Sequence, residues 1–173
     1  MTNKKLDAEA LYQVLEAQVK AGLTHADNVA IVGIYSGGAW LAERLMKALK
    51  LENSGRLGFI DVSFYRDDFA QKGLRTDIKP TQISFDVDGA TILLVDDVLY
   101  TGRTTRAAIN ELFDYGRPHK IMLAALVDRG GRELPIAADF FADTVTLKTG
   151  ESLELHRADD GTLSLTLHTD DHK

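Results

Sequence analysis

Ile92-Leu93-Leu94-Val95-Asp96-Asp97-Val98-Leu99-Tyr100-Thr101-Gly102-Arg103-Thr104 decides how this chain is read. The run Thr91 to Val95 is the most apolar strand candidate in the sequence, and it delivers two adjacent carboxylates to its end. A small, hydroxyl-rich turn follows. Residues 104–115 then carry helical spacing, with Ala108, Ile109, Leu112 and Phe113 inward and Gly116 and Pro118 as the stop. A buried strand that turns directly into a helix is the repeating unit of α/β folds.

The same alternation continues on both sides. Upstream, residues 7–21 read as a helix with Leu11, Val14, Leu15 and Val19 on one face, Asp7 as N-cap and Gly22 as stop. Residues 29–33 read as a buried strand, and 39–50 as a helix with Leu41, Leu45 and Leu49 in line. Leu57 to Phe64 reads as a strand. Tyr65 to Gln82 has no periodicity, and a polar loop of that length in a compact domain usually has a function or no fixed structure. Downstream, Ile121 to Val127 is a further buried strand, and short strand-like runs lie around 138–147 and 152–156. Residues 162–167 alternate cleanly behind the hairpin signal Asp160-Gly161. The expectation is a single α/β domain over residues 1–173, with a central, mostly parallel sheet flanked by helices on both faces. Residues 128–173 would then hold a small hood and a C-terminal hairpin. Ligands bind such sheets at the carboxyl ends of the strands. That points to residues 34–38, 96–103 and 128–135.

Composition narrows the classes. With 173 residues, 45% of them hydrophobic and 27% charged, the chain has the balance of a globular protein that folds without staples. Cysteine is absent, so disulfides, thiolate catalysis and Cys-ligated metal sites are excluded. A net charge of −6 argues against a bulk electrostatic nucleic-acid binder but leaves room for a local basic patch. Behind Met1-Thr2-Asn3 there is no apolar signal core, and no run approaches a membrane span, so a cytoplasmic protein is expected. The histidines show no metal-ligand spacing. His168 and His172 are four apart, but they read as solvated residues of a polar tail.

The chemistry concentrates at the opening stretch. Backbone N–H groups in the turn and first helical residues, with the hydroxyls of Thr101 and Thr104, make a cradle for a monophosphate. Asp96 and Asp97 are placed to accept hydrogen bonds from a vicinal diol. A sugar phosphate with two free hydroxyls fits both ends. Gly33-Ile34-Tyr35-Ser36-Gly37-Gly38 joins a strand to a helix, and its glycines let the backbone approach an anion.

The opening stretch resembles the 5-phosphoribosyl-1-pyrophosphate (PRPP) signature of type I phosphoribosyltransferases. Ser63-Phe64-Tyr65-Arg66-Asp67-Asp68 and Leu126-Val127-Asp128-Arg129-Gly130-Gly131-Arg132-Glu133-Leu134-Pro135 extend the likeness to the pyrimidine operon regulators that also act as uracil phosphoribosyltransferases, the PyrR family. The resemblance implies that Asp96 and Asp97 hold the ribose hydroxyls and that Tyr100, Thr101, Gly102, Arg103 and Thr104 hold the 5′-phosphate. It assigns pyrophosphate to Tyr35, Ser36 and Gly37, through a loop that often has a non-proline cis peptide. Many relatives have Thr-Arg where this chain has Ser36-Gly37. Residues 65–82 become a lid over the reaction, with Arg66, Asp67, Asp68 and Arg75 as its candidate residues. Arg129 and the backbone near Leu153 become base-binding. Tyr100 stands where purine enzymes of the class often carry an aspartate, which favours a pyrimidine.

What the resemblance implies is the conversion of uracil and PRPP to UMP and pyrophosphate. Mg²⁺ would arrive with PRPP and reach Asp96 and Asp97 through water, with no direct protein ligand. It also implies UMP- or UTP-dependent binding to the leader mRNA of pyrimidine genes, and a homo-oligomer. Two alternatives stand beside the enzyme: an RNA-binding regulator with weak or vestigial catalysis, and a purine phosphoribosyltransferase. For RNA, the candidate surface is the stripe Arg44, Lys47 and Lys50. Arg132-Glu133 reads as a local ion pair.

Overall fold

The computed structural model describes residues 6–62 and 81–170. Its elements, in chain order, are α1 (Ala8–Gly22), β1 (Val29–Ile34), α2 (Gly37–Ala48), β2 (Leu57–Ile60), β3 (Thr91–Leu99), α3 (Arg103–Tyr115), β4 (Lys120–Asp128), β5 (Phe140–Thr144), β6 (Glu151–Arg157) and β7 (Leu163–Thr169). Five parallel strands form the central sheet in the order β2-β1-β3-β4-β5, while β6 and β7 pair separately as an antiparallel hairpin. Among the described residues no helix is long and apolar enough to cross a membrane.

Alternation along the strands sorts the core into two layers. Ile31, Leu93, Ala124 and Leu126 face Tyr12, Leu15 and Val19 of α1 and Leu41 and Leu45 of α2. Val32, Ile34, Ile92, Leu94 and Ala125 face Ala108 and Leu112 of α3. The hairpin joins the first layer through Leu155 and Leu163.

Several boundaries move for packing reasons. α1 has the expected cap, with the Asp7 carboxylate accepting from Ala10 N–H at 3.2 Å. Its buried stripe is Ala8, Tyr12, Leu15 and Val19, and Val14 is exposed. Gly22 is the last helical residue rather than a stop. A Cβ there would lie 2.4 Å from the Phe140 ring, so the glycine lets β5 pack close. α2 begins at Gly37, two residues before the expected start, and ends before Leu49. In α3 Phe113 is exposed, and Thr105 shares the buried face with Ala108 and Leu112. The strand expected over 57–64 ends at Ile60, with Ser63 and Phe64 outside the described residues.

β3 is the informative case. The apolar run ends at Val95, but the strand continues to Leu99 because β4 keeps pairing with it as far as Asp128. Pairing with β1 stops at Val95. Asp96 and Asp97 therefore lie within the strand, past the end of its neighbour. The chain steps from β1 leftward to β2 and then back across to β3, so β1 and β3 flank the point where strand order reverses. Open α/β sheets bind their ligands at that crevice.

Candidate active site

Three segments meet at the crevice. The first leaves β1. Tyr35 N–H donates to Ile60 O at 3.0 Å, the Tyr35–Ser36 peptide is cis, and α2 starts at Gly37. Ser36 makes no side-chain cap, so no side chain from the cap position covers the first amides of α2. Burial, with Glu43 and Asp61 nearby, raises the Tyr35 phenol above its usual range, which keeps it a hydrogen-bond donor. The glycines here are set by packing. A Cβ on Gly33 would lie 2.6 Å from Ala39 Cα, and one on Gly38 2.2 Å from Val95 O. A Cβ on Gly37 would lie 2.5 Å from Asp97 Oδ2. The loop expected to take pyrophosphate therefore touches the acid expected to hold the ribose.

The second segment is the end of β3. Beyond the reach of β1, two of its amides turn to side chains. Asp97 N–H donates to Asp96 Oδ1 and Val98 N–H to Asp97 Oδ1, each at 2.8 Å. These bonds fix both carboxylates. Asp96 is buried, at 4% exposure, and Asp97 is half-buried against Gly37. Alternation carries Asp96 toward the α3 layer and Asp97 toward α2.

The third is the turn into α3. Gly102 occupies the cap position at φ +94°, where a side chain would be strained, and it supplies no capping side chain. Buried Thr101 accepts from Arg103 N–H through Oγ1 at 3.2 Å. Thr104 lies in the first turn of α3, half-buried. Two helix N-termini thus face one crevice with two fixed carboxylates between them, and neither N-cap residue, Ser36 or Gly102, supplies a capping side chain. Each terminus offers amides and a positive dipole end to an anion.

The loop after β4 closes one side. Arg129 N–H donates to Leu99 O at 3.0 Å, and its guanidinium lies 3.8 Å from the centre of the Tyr100 ring. Among the described residues the buried Arg129 Nε has no hydrogen-bond partner. Gly131 faces the same ring, where a Cβ would lie 2.5 Å from it. The expected Arg132–Glu133 pair is not formed. Arg132 bonds Asp128 at 2.6 Å, Ile136 O at 2.7 Å and Tyr100 O at 2.8 Å, and so pins the loop to the turn that leads into α3. Glu133 instead pairs with Arg103 at 2.8 Å. Burial would push the Asp128 carboxyl up, but hydrogen bonds from Arg132 and Gly130 outweigh it and hold the group below its usual range. Sequence reading missed the role of Arg132, although it stands only four residues beyond Asp128, the last residue of β4.

Other expectations fare differently. Leu153 lies on β6 opposite Leu167, and its side chain packs against the α1–α2 core layer. The lid candidates Arg66, Asp67, Asp68 and Arg75 lie outside the described residues. The basic stripe is not assembled. Arg44 is engaged by Glu9 at 2.6 and 2.8 Å and by Gly161 O at 2.6 Å, and Lys50 lies past the end of α2.

Comparison with known proteins agrees with this geometry. The family model described as "Phosphoribosyl transferase domain" matches residues 7–152. A relative from Ralstonia nicotianae named "Bifunctional protein PyrR" is 51% identical over 163 residues, covering 93% of this chain and 92% of its own length. One of the same name from Nitrosococcus oceani is 45% identical over 152 residues, covering 87% and 86%. Among solved structures, a hypoxanthine-guanine phosphoribosyltransferase from Bacillus anthracis superposes with a TM-score of 0.64 at 16% identity, over 84% of this chain and 85% of its own, a likeness of fold. The chain belongs to the phosphoribosyltransferase family and to its PyrR branch.

Proposed function

We propose that this protein transfers the ribosyl phosphate of PRPP to uracil, giving UMP and pyrophosphate. One observation carries the reading: two helix N-termini whose N-cap residues supply no capping side chain face the same crevice as two fixed carboxylates. PRPP has a phosphate at one end, a pyrophosphate at the other and a diol between them, and this arrangement is its complement. In the reaction the C1′–oxygen bond to pyrophosphate breaks, the bond from C1′ to the pyrimidine N1 forms, and the N1 proton passes to solvent.

In this reading the amides of residues 101–104, with the hydroxyls of Thr101 and Thr104, hold the 5′-phosphate, and Tyr100 and Gly102 shape the turn. Arg103 shares its backbone N–H between Thr101 Oγ1 and the phosphate while Glu133 holds its guanidinium. Asp96 and Asp97 accept from the ribose hydroxyls. Tyr35, Ser36 and Gly37 take the pyrophosphate, the Tyr35 phenol as donor. Arg129 and the backbone near Leu153 meet the base, and residues 65–82 close over it. Mg²⁺ enters with PRPP as part of the substrate. The carboxylate oxygens of Asp96 and Asp97 are of the kind its bound water can reach. It would offset charge on the leaving pyrophosphate. The protein's own contribution is positioning and electrostatic complementarity, with little covalent chemistry.

The relatives' name, "Bifunctional protein PyrR", supports a second role, and the family resemblance points to UMP- or UTP-responsive binding of a pyrimidine leader transcript. With Arg44 engaged by Glu9, that surface is sought away from the α2 stripe. The first test is turnover of labelled uracil with PRPP and Mg²⁺, run beside orotate, hypoxanthine and guanine. Uracil-only turnover supports the reading. Turnover of a purine, or of no base, overturns it. Leader-RNA binding with and without UMP, across a salt series, tests the regulatory role. Light scattering tests the homo-oligomer implied by the family.

A further inference from the structure

The β6–β7 hairpin has two unlike faces. Leu153, Leu155, Leu163 and Leu165 alternate toward the core. The opposite face carries Ser152, Glu154, His156, Ser164, Thr166 and His168. Register places Glu154 opposite Thr166 and His168 opposite Ser152, so Glu154 and His168 are diagonal neighbours across the ladder. His156 is two residues from Glu154 on the same strand and therefore shares its face.

The side chains converge. His168 Nε2 lies 2.9 Å from Glu154 Oε2, and His156 Nε2 lies 3.7 Å from the same oxygen. The two rings sit edge to face, 6.2 Å apart between centroids. One donor atom from each residue falls within 4.8 Å of the others. Ligand atoms about 2.0–2.2 Å from a tetrahedral ion stand roughly 3.4 Å from one another. The two nitrogen–oxygen separations bracket that spacing. Two imidazoles and one carboxylate form a donor set used for zinc with a fourth position left open. Imidazole also favours zinc, cobalt, nickel and copper over Mg²⁺ and Ca²⁺, which prefer oxygen. An ordinary surface ion pair needs one histidine. Here two histidines from different strands address one carboxylate oxygen, and the small residues Ser152, Ser164 and Thr166 flank them.

We propose that Glu154, His156 and His168 form a binding site for a zinc-class divalent transition ion on the outer face of the hairpin. The ion clips β6 to β7 and leaves its remaining coordination to water. The site lies on the hairpin face opposite the leucines that pack on the core, and its ligands are side chains 45–54% exposed, so an ion enters without rearrangement of the core.

The test uses the full chain with any affinity tag removed. Co²⁺ is followed by its visible absorption and Zn²⁺ by calorimetry. One equivalent should bind, with the absorption of a low-coordinate cobalt ion, and excess Mg²⁺ should not compete. His156→Ala and His168→Ala should each weaken binding at least about tenfold, since even loss of an outer-shell partner costs that much. His25→Ala and His119→Ala should bind as the parent does. Zn²⁺ should raise the melting temperature of the parent, reversibly with EDTA, and should not raise that of either ligand variant. Both variants should melt as the parent does without metal. The proposal is overturned by the absence of saturable binding. It is overturned equally by unchanged binding in both ligand variants, or by binding lost in His172→Ala and kept in His156→Ala. None of these readouts depends on turnover of uracil.

Discussion

Gly38→Ala tests how the fold holds the site. Gly38 is the second residue of α2, pressed against β3. An added Cβ would lie 2.2 Å from Val95 O and 3.1 Å from Asp96 Cα. Both are backbone atoms of a strand paired on two sides, so neither can swing away. Ordinary contact begins near 3.4 Å, so α2 must lift from the sheet by roughly 1 Å. Overpacking of this kind costs about 1–3 kcal/mol. For a chain of this size that lowers the melting temperature by roughly 2–12 °C. The lift also moves the Tyr35–Gly37 turn relative to Asp97, and a 1 Å misplacement costs on the order of 100-fold in rate. The assay is kcat/KM for uracil and PRPP beside a thermal melt. Gly55→Ala is the control, since a Cβ there meets nothing within 4 Å, although its φ of +71° leaves some local strain. It should melt slightly lower and turn over normally. A Gly38→Ala protein with parental kcat/KM and melting temperature refutes the packing argument.

Asp97→Asn keeps the acceptor for Val98 N–H, so the variant should fold normally and lose most of its turnover, as kinetics and circular dichroism would show. Glu9 joins α1 to Arg44 and to Leu163 N–H. The Arg44 hydrogen bond holds its carboxyl below the ordinary 4.5, against the opposing effect of burial. A depressed carboxyl stabilises the fold above its ordinary pKa, and that contribution fades as pH falls through the folded value. Glu9→Gln should therefore cost about 1 kcal/mol at neutral pH, screening included, and less in acid, measured by urea melts across pH. Gln18 covers the outer edge of β5, donating to Phe141 O at 2.9 Å and accepting from Phe141 N–H at 3.0 Å. Gln18→Ala should cost about 1–3 kcal/mol and raise aggregation from an uncovered edge, read by light scattering.

How much was legible follows from where each signal lives. The α/β alternation, the helix after Gly102 and the three loops at the carboxyl ends of the strands were readable because strand, cap and turn chemistry are local. The length of β3 was not. Asp96 and Asp97 read as residues beyond a strand, and only the pairing with β4 extends the strand through them. Val14 and Phe113 read as inward because a stripe on a short helix is ambiguous by one residue. Tyr12 and Thr105 fill those layers instead. The glycines after β1 suggested an anion loop by composition. Their packing cause, α2 against β1 and β3, is tertiary. His168 read as part of a polar tail because its neighbours in space, Glu154 and His156, come from the other strand.

Ser36-Gly37 is the sharpest departure from the family pattern, and the structure gives it a physical meaning. Relatives with an arginine after the threonine gain a guanidinium for pyrophosphate. Here the Asp97 carboxylate fills the place of a side chain at position 37, with Cβ and Cγ each 2.9 Å from an added Cβ. Gly37→Arg sets two effects against each other. A charge-assisted hydrogen bond contributes about 1.5–3 kcal/mol. Displacing Asp97 costs about 1–3 kcal/mol of overpacking. The net effect on PRPP binding is therefore at most about 2 kcal/mol, so KM should move by no more than about thirtyfold. In the proposed reading the displaced acid holds the ribose, so the chemical step has no such compensation and kcat should fall. Steady-state kinetics with PRPP varied at saturating uracil separates the two. A Gly37→Arg enzyme whose kcat matches or exceeds the parent's would show that Asp97 yields its place without cost. The glycine would then be a tolerated loss rather than the residue that lets the acid reach the loop.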